Sequence, residues 1–322
     1  MVAGFGLLLA SAVLLTVGAE LFAEHTAQAA RWLGVSTLAV GLLLAGAEPE
    51  ELITAAMASA QHHPGIAAGD AIGANVTMLT LVIGLAAVLR PLPFHRRVWP
   101  YALAASGAGA IGALALSSGH IGRPMGAGLV AAYAVAVTVI WRRERRPPAF
   151  GEAAEQAQAG EAEAAAGDDA TRPGWRERFA PGLVLLGLAG MALGGRLAVA
   201  GAVQVVGALG LRESVVGLTF VALATTAELL ALVWAAARRG LDDLALAGVL
   251  GSAVYNATAT LGTAALVRPL AVAGVLPQAW LAAAVPLGLL LVAHRSGRLT
   301  RGAGLGLLAA YGAFLAFTFT TA

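Results

Sequence analysis

Apolar stretches dominate the chain, and short polar interruptions cut them to an even length. Ten segments can be marked, at about 5–29, 33–60, 66–89, 98–117, 121–141, 179–208, 214–237, 244–267, 274–293 and 302–320. Each is near the roughly 20 residues a helix needs to cross the hydrocarbon core. With 322 residues, a mean hydropathy of +0.80 and 12% charged residues, the chain reads as an all-α polytopic membrane protein. The first segment lacks a basic lead-in and is long for a signal peptide, so it reads as a retained helix.

Polar residues inside these segments are few and grouped. The stretch Gly46-Ala47-Glu48-Pro49-Glu50-Glu51 puts three carboxylates into an apolar run, and Gly69-Asp70-Ala71-Ile72-Gly73-Ala74-Asn75 follows. A carboxylate at that depth is costly and marks an ion pathway or a wet cavity. The stretch has a second copy 178 positions later. Glu50 falls on Glu228, Gly73 on Gly251, Gly84 on Gly262, and Arg90-Pro91-Leu92 on Arg268-Pro269-Leu270. Aligned without gaps, 36–92 and 214–270 share 14 identities in 57 positions, and 9 of them fall in the last 20. That concentration, with a Gly, an Arg and a Pro among the matches, identifies an internal repeat.

Charge then orients the chain. All 20 basic residues are Arg. With the N-terminus outside, 16 lie on inner loops: Arg31, Arg90, Arg96, Arg97, seven between Arg142 and Arg178, Arg238, Arg239, Arg295, Arg298 and Arg301. Only three, Arg123, Arg212 and Arg268, lie on outer loops, and Arg196 falls within a helix. This bias predicts N-out and C-out. Five helices on each side of a central loop force the second copy to enter from the opposite face, giving two inverted five-helix repeats. The expected division is 1–141, a cytoplasmic linker at 142–178, and 179–322. The linker is rich in Ala, Gly, Glu and Asp and reads as a solvated connection without EF-hand spacing.

Composition also excludes. No Lys means no P-loop lysine, and no Cys means no disulfide, thiolate metal site or cysteine nucleophile. Hydrolase and dinucleotide motifs are missing from the sequence, so an enzyme is not expected; a channel is disfavoured because inverted repeats suit alternating access.

The doubled stretch resembles the α-repeats of the calcium/cation antiporter superfamily, which includes sodium/calcium and cation/proton exchangers. That family carries a Gly-Thr-Ser-x-Pro-Glu or Gly-Asn-Ala-x-Glu helix break, followed by Gly-Ser-Asn-x-x-Asn/Asp. Here the first copy reads Gly46-Ala47-Glu48-Pro49-Glu50 and Gly73-Ala74-Asn75-Val76-Thr77-Met78. The second reads Ala224-Thr225-Thr226-Ala227-Glu228 and Gly251-Ser252-Ala253-Val254-Tyr255-Asn256. The resemblance implies a secondary cation antiporter of the plasma (inner) membrane. It works among lipid and small cations, without nucleic acid or a resident cofactor, and its transported cation is Ca²⁺, exchanged for H⁺ or, as the alternative, Na⁺. The implied site residues are Glu50, Glu228, Glu51, Asn75, Thr225, Thr226, Ser252 and Asn256. A hard cation takes oxygen ligands, which these residues and unwound backbone can supply. Ala74, Met78 and Ala253 stand where the family has oxygen ligands. The 178 offset and the proton-coupled spacing choose Glu50 as the first acid; the sodium-coupled spacing would choose Glu51.

The remaining polar residues read more plainly. Glu20 and Glu24 share a face near the inner end of the first helix, and Asp70 suits either a helix start or the site. Arg196 is a snorkelling or paired charge, and His62-His63 is a solvated turn before Pro64-Gly65.

Overall fold

A computed structural model describes residues 2–32, 48–96, 98–144, 175–230, 233, 242–272 and 274–321. Among the described residues, the main helical segments are α1 (Val2–Trp32), α2 (Pro49–Ala60), α3 (Pro64–Leu89), α4 (Trp99–Leu116), α5 (Arg123–Glu144), α6 (Trp175–Leu209), α7 (Glu213–Thr225), α8 (Asp242–Tyr255, Asn256–Thr260 and Leu261–Val267), α9 (Leu276–Ser296) and α10 (Arg301–Thr320). Among the described residues, seven helices are long and apolar enough to cross a membrane. The protein is an all-helical, multi-pass membrane protein. Its side chains are distributed accordingly. Leu9 and Leu291 are 71% and 72% exposed, while Glu51, Asp70, Thr226 and Asn256 are at most 1% exposed.

Most predicted spans match to within a few residues. Two differ. Residues 33–47 of the second span lie outside the described residues, and its described part begins at Pro49, a residue suited to a first helical turn. The seventh is not continuous, because the helix ends at Thr225 and Thr226 is a turn before the next helical residues. At the ends of the expected linker, α5 carries Arg142, Arg143 and Glu144, and α6 begins at Trp175; 145–174 lie outside the described residues.

The repeat is visible in the backbone. Two short antiparallel ladders tie the connections together. Leu92 and Pro93 pair with Leu299 and Arg298, and Ile121 and His120 pair with Leu270 and Ala271. Adding 178 to the first member and subtracting it from the second turns one ladder into the other. Each ladder joins connections that the helix count places at the same end of the bundle. The same exchange holds in the packing. A Cβ on Gly84 would lie 3.2 Å from the Gly304 carbonyl, and one on Gly262 would lie 2.7 Å from that of Gly126, which is 178 before Gly304. Side chains larger than hydrogen would push α3 from α10 and α8 from α5, which is why these helices close on small residues.

Among the described residues, three helices carry π-helical turns: Thr77–Val82 in α3, Gly217–Val221 in α7 and Asn256–Thr260 in α8. The first and third coincide under the 178 offset. Such turns free backbone groups from the regular ladder and often accompany functional sites. A close helix crossing lies nearby. A Cβ on Gly73 would fall 2.3 Å from the Leu218 carbonyl oxygen, so α3 and α7 meet backbone to backbone.

Candidate functional site

α2, α3, α7 and α8 bring the polar residues of both halves into the interior. Glu48 lies just before α2 at φ −103°, ψ 85°, held extended by the following Pro49. Glu50 and Glu51 occupy the first turn of α2, where acids suit the exposed amides and dipole. All three carboxylates are buried, at 3%, 5% and 1% exposure. Glu51 lies within electrostatic range of Glu48, Asp70 and Glu50. Thr54, one turn further along α2, is fully buried too.

Among the hydrogen bonds that cross between the halves, three join the buried polar residues of these helices. Asn75 Nδ2 donates to the Ala253 carbonyl at 3.0 Å, linking residues that are themselves 178 apart. A contact between repeat-equivalent positions places it on the pseudo-two-fold axis. Thr225 Oγ1 donates to Asp70 Oδ1 at 3.1 Å. Asn256 Nδ2 donates to Glu48 Oε2 at 3.3 Å, while Asn256 Oδ1 accepts from Thr260 Oγ1 at 3.0 Å. Asn75 therefore uses its amide hydrogens and keeps its oxygen open, whereas Asn256 uses both ends.

Several buried oxygens have no hydrogen-bond partner among the described residues: Asp70 Oδ2, Asn75 Oδ1, and the hydroxyls of Thr54 and Ser252. Buried polar atoms are nearly always partnered, so these mark where a ligand or water completes the shell. Thr226 Oγ1 donates to the Ala222 carbonyl at 2.7 Å and keeps lone pairs for another partner. Glu228 is buried, 7% exposed, in the helical residues that follow the turn at Thr226. Among the described residues no three acidic or histidine side chains are grouped so as to hold a metal by themselves. A cation here would draw on hydroxyl, amide and backbone oxygens as well.

All eight expected site residues are buried, and the recorded contacts tie Asn75, Thr225 and Asn256 across the halves. Three further residues join them. Asp70 is not at a helix start: α3 begins at Pro64, and Asp70 is fully buried against α7. Glu48 reaches the second half through Asn256. Thr54 stands four positions after Glu50 on α2, a spacing that shares a helix face. Glu20, Glu24 and Arg196 are exposed, on the outside of the bundle. His62 and His63 lie in a solvent-facing turn before Pro64, and both have partners. His63 Nδ1 meets Glu213 Oε1 at 2.8 Å, and Arg268 Nη1 donates to His62 Nε2 at 3.0 Å, pinning the α2–α3 turn to α7 and the end of α8.

The family model for "Sodium/calcium exchanger protein" matches residues 3–142 and 179–320, both halves without the central loop. The chain belongs to this family. Members of the sodium/calcium exchanger family are cation antiporters, so the protein is a transporter and not an enzyme. A protein of Alkalimonas amylolytica, provisionally named as the antiporter CaxA, is 29% identical over 305 residues, covering 90% of this chain and 89% of its own. The inner membrane protein YrbG of Escherichia coli K12 is 27% identical over 252 residues, 74% of this chain and 72% of that one. A solved structure of the sodium-calcium exchanger NCX_Mj, soaked with Na⁺ and Sr²⁺, superposes with a TM-score of 0.60 at 25% identity and covers 98% of each chain.

Proposed function

We propose that this antiporter exchanges Ca²⁺ for protons across a plasma (inner) membrane, by alternating access around a site that includes Glu50 and Glu228. What supports the reading is the meeting of the halves at the Asn75–Ala253 contact, together with the buried acids Glu48, Glu50, Glu51, Asp70 and Glu228 and the open oxygens of Thr54, Asp70, Asn75 and Ser252. Glu51, Asn75, Thr225, Thr226, Ser252 and Asn256 belong to the same proposed site. Two carboxylates and these neutral oxygens suit a hard divalent ion, which carries six to eight oxygen ligands. When the ion leaves, two carboxylates in a low-dielectric interior cannot both remain charged without partners, and proton uptake relieves the cost. Competition between cation and proton for one site then couples their movements.

Proton coupling is supported by the Gly46-to-Glu50 spacing and by Ala74, Met78 and Ala253, which supply no side-chain oxygen for separate sodium positions. Sodium coupling is the second reading, favoured by the 98% coverage of the NCX_Mj structure. Placement in an inner membrane is supported by YrbG. Flux in proteoliposomes tests the choice. Ca²⁺ uptake driven by an imposed proton gradient without Na⁺ is the expected result; uptake that appears only with a sodium gradient would replace it with sodium coupling.

A further inference from the structure

The two asparagines of the site are oriented differently, and the difference singles out Glu48. Asn75 anchors through its amide hydrogens and leaves Oδ1 open. Asn256 has its oxygen engaged by Thr260 Oγ1 and its hydrogens turned to Glu48 Oε2. The Glu48 oxygen fixes this orientation as the acceptor, because the flipped amide would set oxygen against oxygen. One lone pair of Asn256 Oδ1 is taken by Thr260, and its amide hydrogens are committed to Glu48. What it holds in place is a carboxylate. Glu48 sits on extended backbone before Pro49, 3% exposed, with its main-chain carbonyl already accepting from the Glu51 and Leu52 amides. Its backbone and one side-chain oxygen are thus both fixed. The 178 offset carries Glu48 to Thr226 and Asn256 to Met78, so the pair has no twin on the other side of the axis. It adds negative charge to one half only.

We infer that Glu48 is a selectivity-determining carboxylate of the cation site, positioned by Asn256, and that it favours divalent over monovalent ions. The inference rests on the proposed site and names the ion class that site prefers. Hydroxyl and amide oxygens attract any hard cation through their dipoles. A fixed negative charge acts in proportion to the charge of the ion, so its contribution to log affinity is twice as large for Ca²⁺ as for Na⁺.

The test is Ca²⁺ binding by calorimetry on the purified full chain at mildly alkaline pH, with Na⁺ binding read by the same method. Glu48→Gln removes the charge but keeps an oxygen that accepts from Asn256. It should lower Ca²⁺ affinity about a hundredfold and Na⁺ affinity about tenfold, as Coulomb scaling requires. The double variant Glu48→Gln with Asn256→Asp moves the carboxylate across the same hydrogen bond and should recover most of the Ca²⁺ affinity. Asn256→Leu, which keeps the charge but frees Glu48, should lose about tenfold, the worth of one hydrogen bond to a charged group. Unchanged Ca²⁺ affinity in Glu48→Gln, or equal fractional losses for Ca²⁺ and Na⁺, would overturn the inference. Should Glu48→Gln not fold, the double variant carries the test, and failure of that folded protein to bind Ca²⁺ near the parent level would also overturn it. Glu50→Gln and Glu228→Gln run alongside. If both bind Ca²⁺ like the parent, the site itself is misplaced, an outcome separable from failure at Glu48 alone.

Discussion

Gly73→Ala tests the crossing on which the site is built. The new methyl would lie 2.3 Å from the Leu218 carbonyl oxygen and 2.7 Å from its carbon and Cα, all backbone atoms. Ordinary contact begins near 3.4 Å, so α3 and α7 must separate by about 1 Å in a packed interior that resists such opening. Overpacking of this kind costs about 1–3 kcal/mol. Asp70 lies one turn before Gly73, and its 3.1 Å bond to Thr225 spans the same crossing. An added 1 Å takes that bond beyond useful hydrogen-bond length. The variant should melt earlier in detergent and lose Ca²⁺ affinity by about tenfold or more, since a constellation about 1 Å too loose is a common cause of lost function. Gly107→Ala is the control, because nothing lies within 4 Å of its Cβ position. Thermal melting and calorimetric Ca²⁺ binding read both effects. Parent-like melting and affinity in Gly73→Ala would refute the backbone contact and the positioning argument with it.

Other consequences follow from the same geometry. Gly84→Leu and Gly262→Leu press on repeat-equivalent contacts, with the Gly304 and Gly126 carbonyls, and should destabilise the fold to a similar degree; a large effect from only one would break the equivalence. Glu50→Gln should abolish Ca²⁺ flux while Glu51→Gln weakens it, and the opposite ranking would move the site assignment by one residue. A cysteine replacing Ala159 in a chain without native Cys should be protected from an impermeant reagent in intact cells; labelling from outside would reverse the topology. Arg196→Gln should leave flux unchanged, because the side chain is exposed on the bundle surface, and a large loss would assign it a role in transport.

The sequence carried the architecture well because membrane helices declare themselves by length and apolarity, and because the repeat preserved Gly73, Gly84 and Arg90-Pro91-Leu92 at a fixed offset. The ladder at Leu92–Pro93 falls on that conserved run. Its partner Arg298–Leu299 and the equivalent His120–Ile121, which pairs with Leu270–Ala271, share no identity across the offset, and a two-residue strand leaves too short a pattern to read. Asp70 was open to a helix-start reading because acids favour first turns. Pro64 held the better signal, since a proline at the first helical position sets Asp70 two turns inside. Thr54 was legible at four residues from Glu50 but hidden among small residues of α2. The direction of the Asn256 amide was not legible at all. It depends on Thr260 and Glu48, which reach it from different halves of the chain.

Cation affinity measured against pH addresses the central claim most directly. If Glu50 and Glu228 share one site for either Ca²⁺ or protons, Ca²⁺ affinity should fall as pH falls, approaching a tenfold loss per pH unit for each proton displaced. Replacing either Glu by Gln should remove most of the affinity together with the pH dependence. A parent affinity that stays constant between about pH 5 and 8, the range over which buried carboxylates exchange protons, would contradict proton coupling, and unchanged affinity in Glu228→Gln would contradict the shared site.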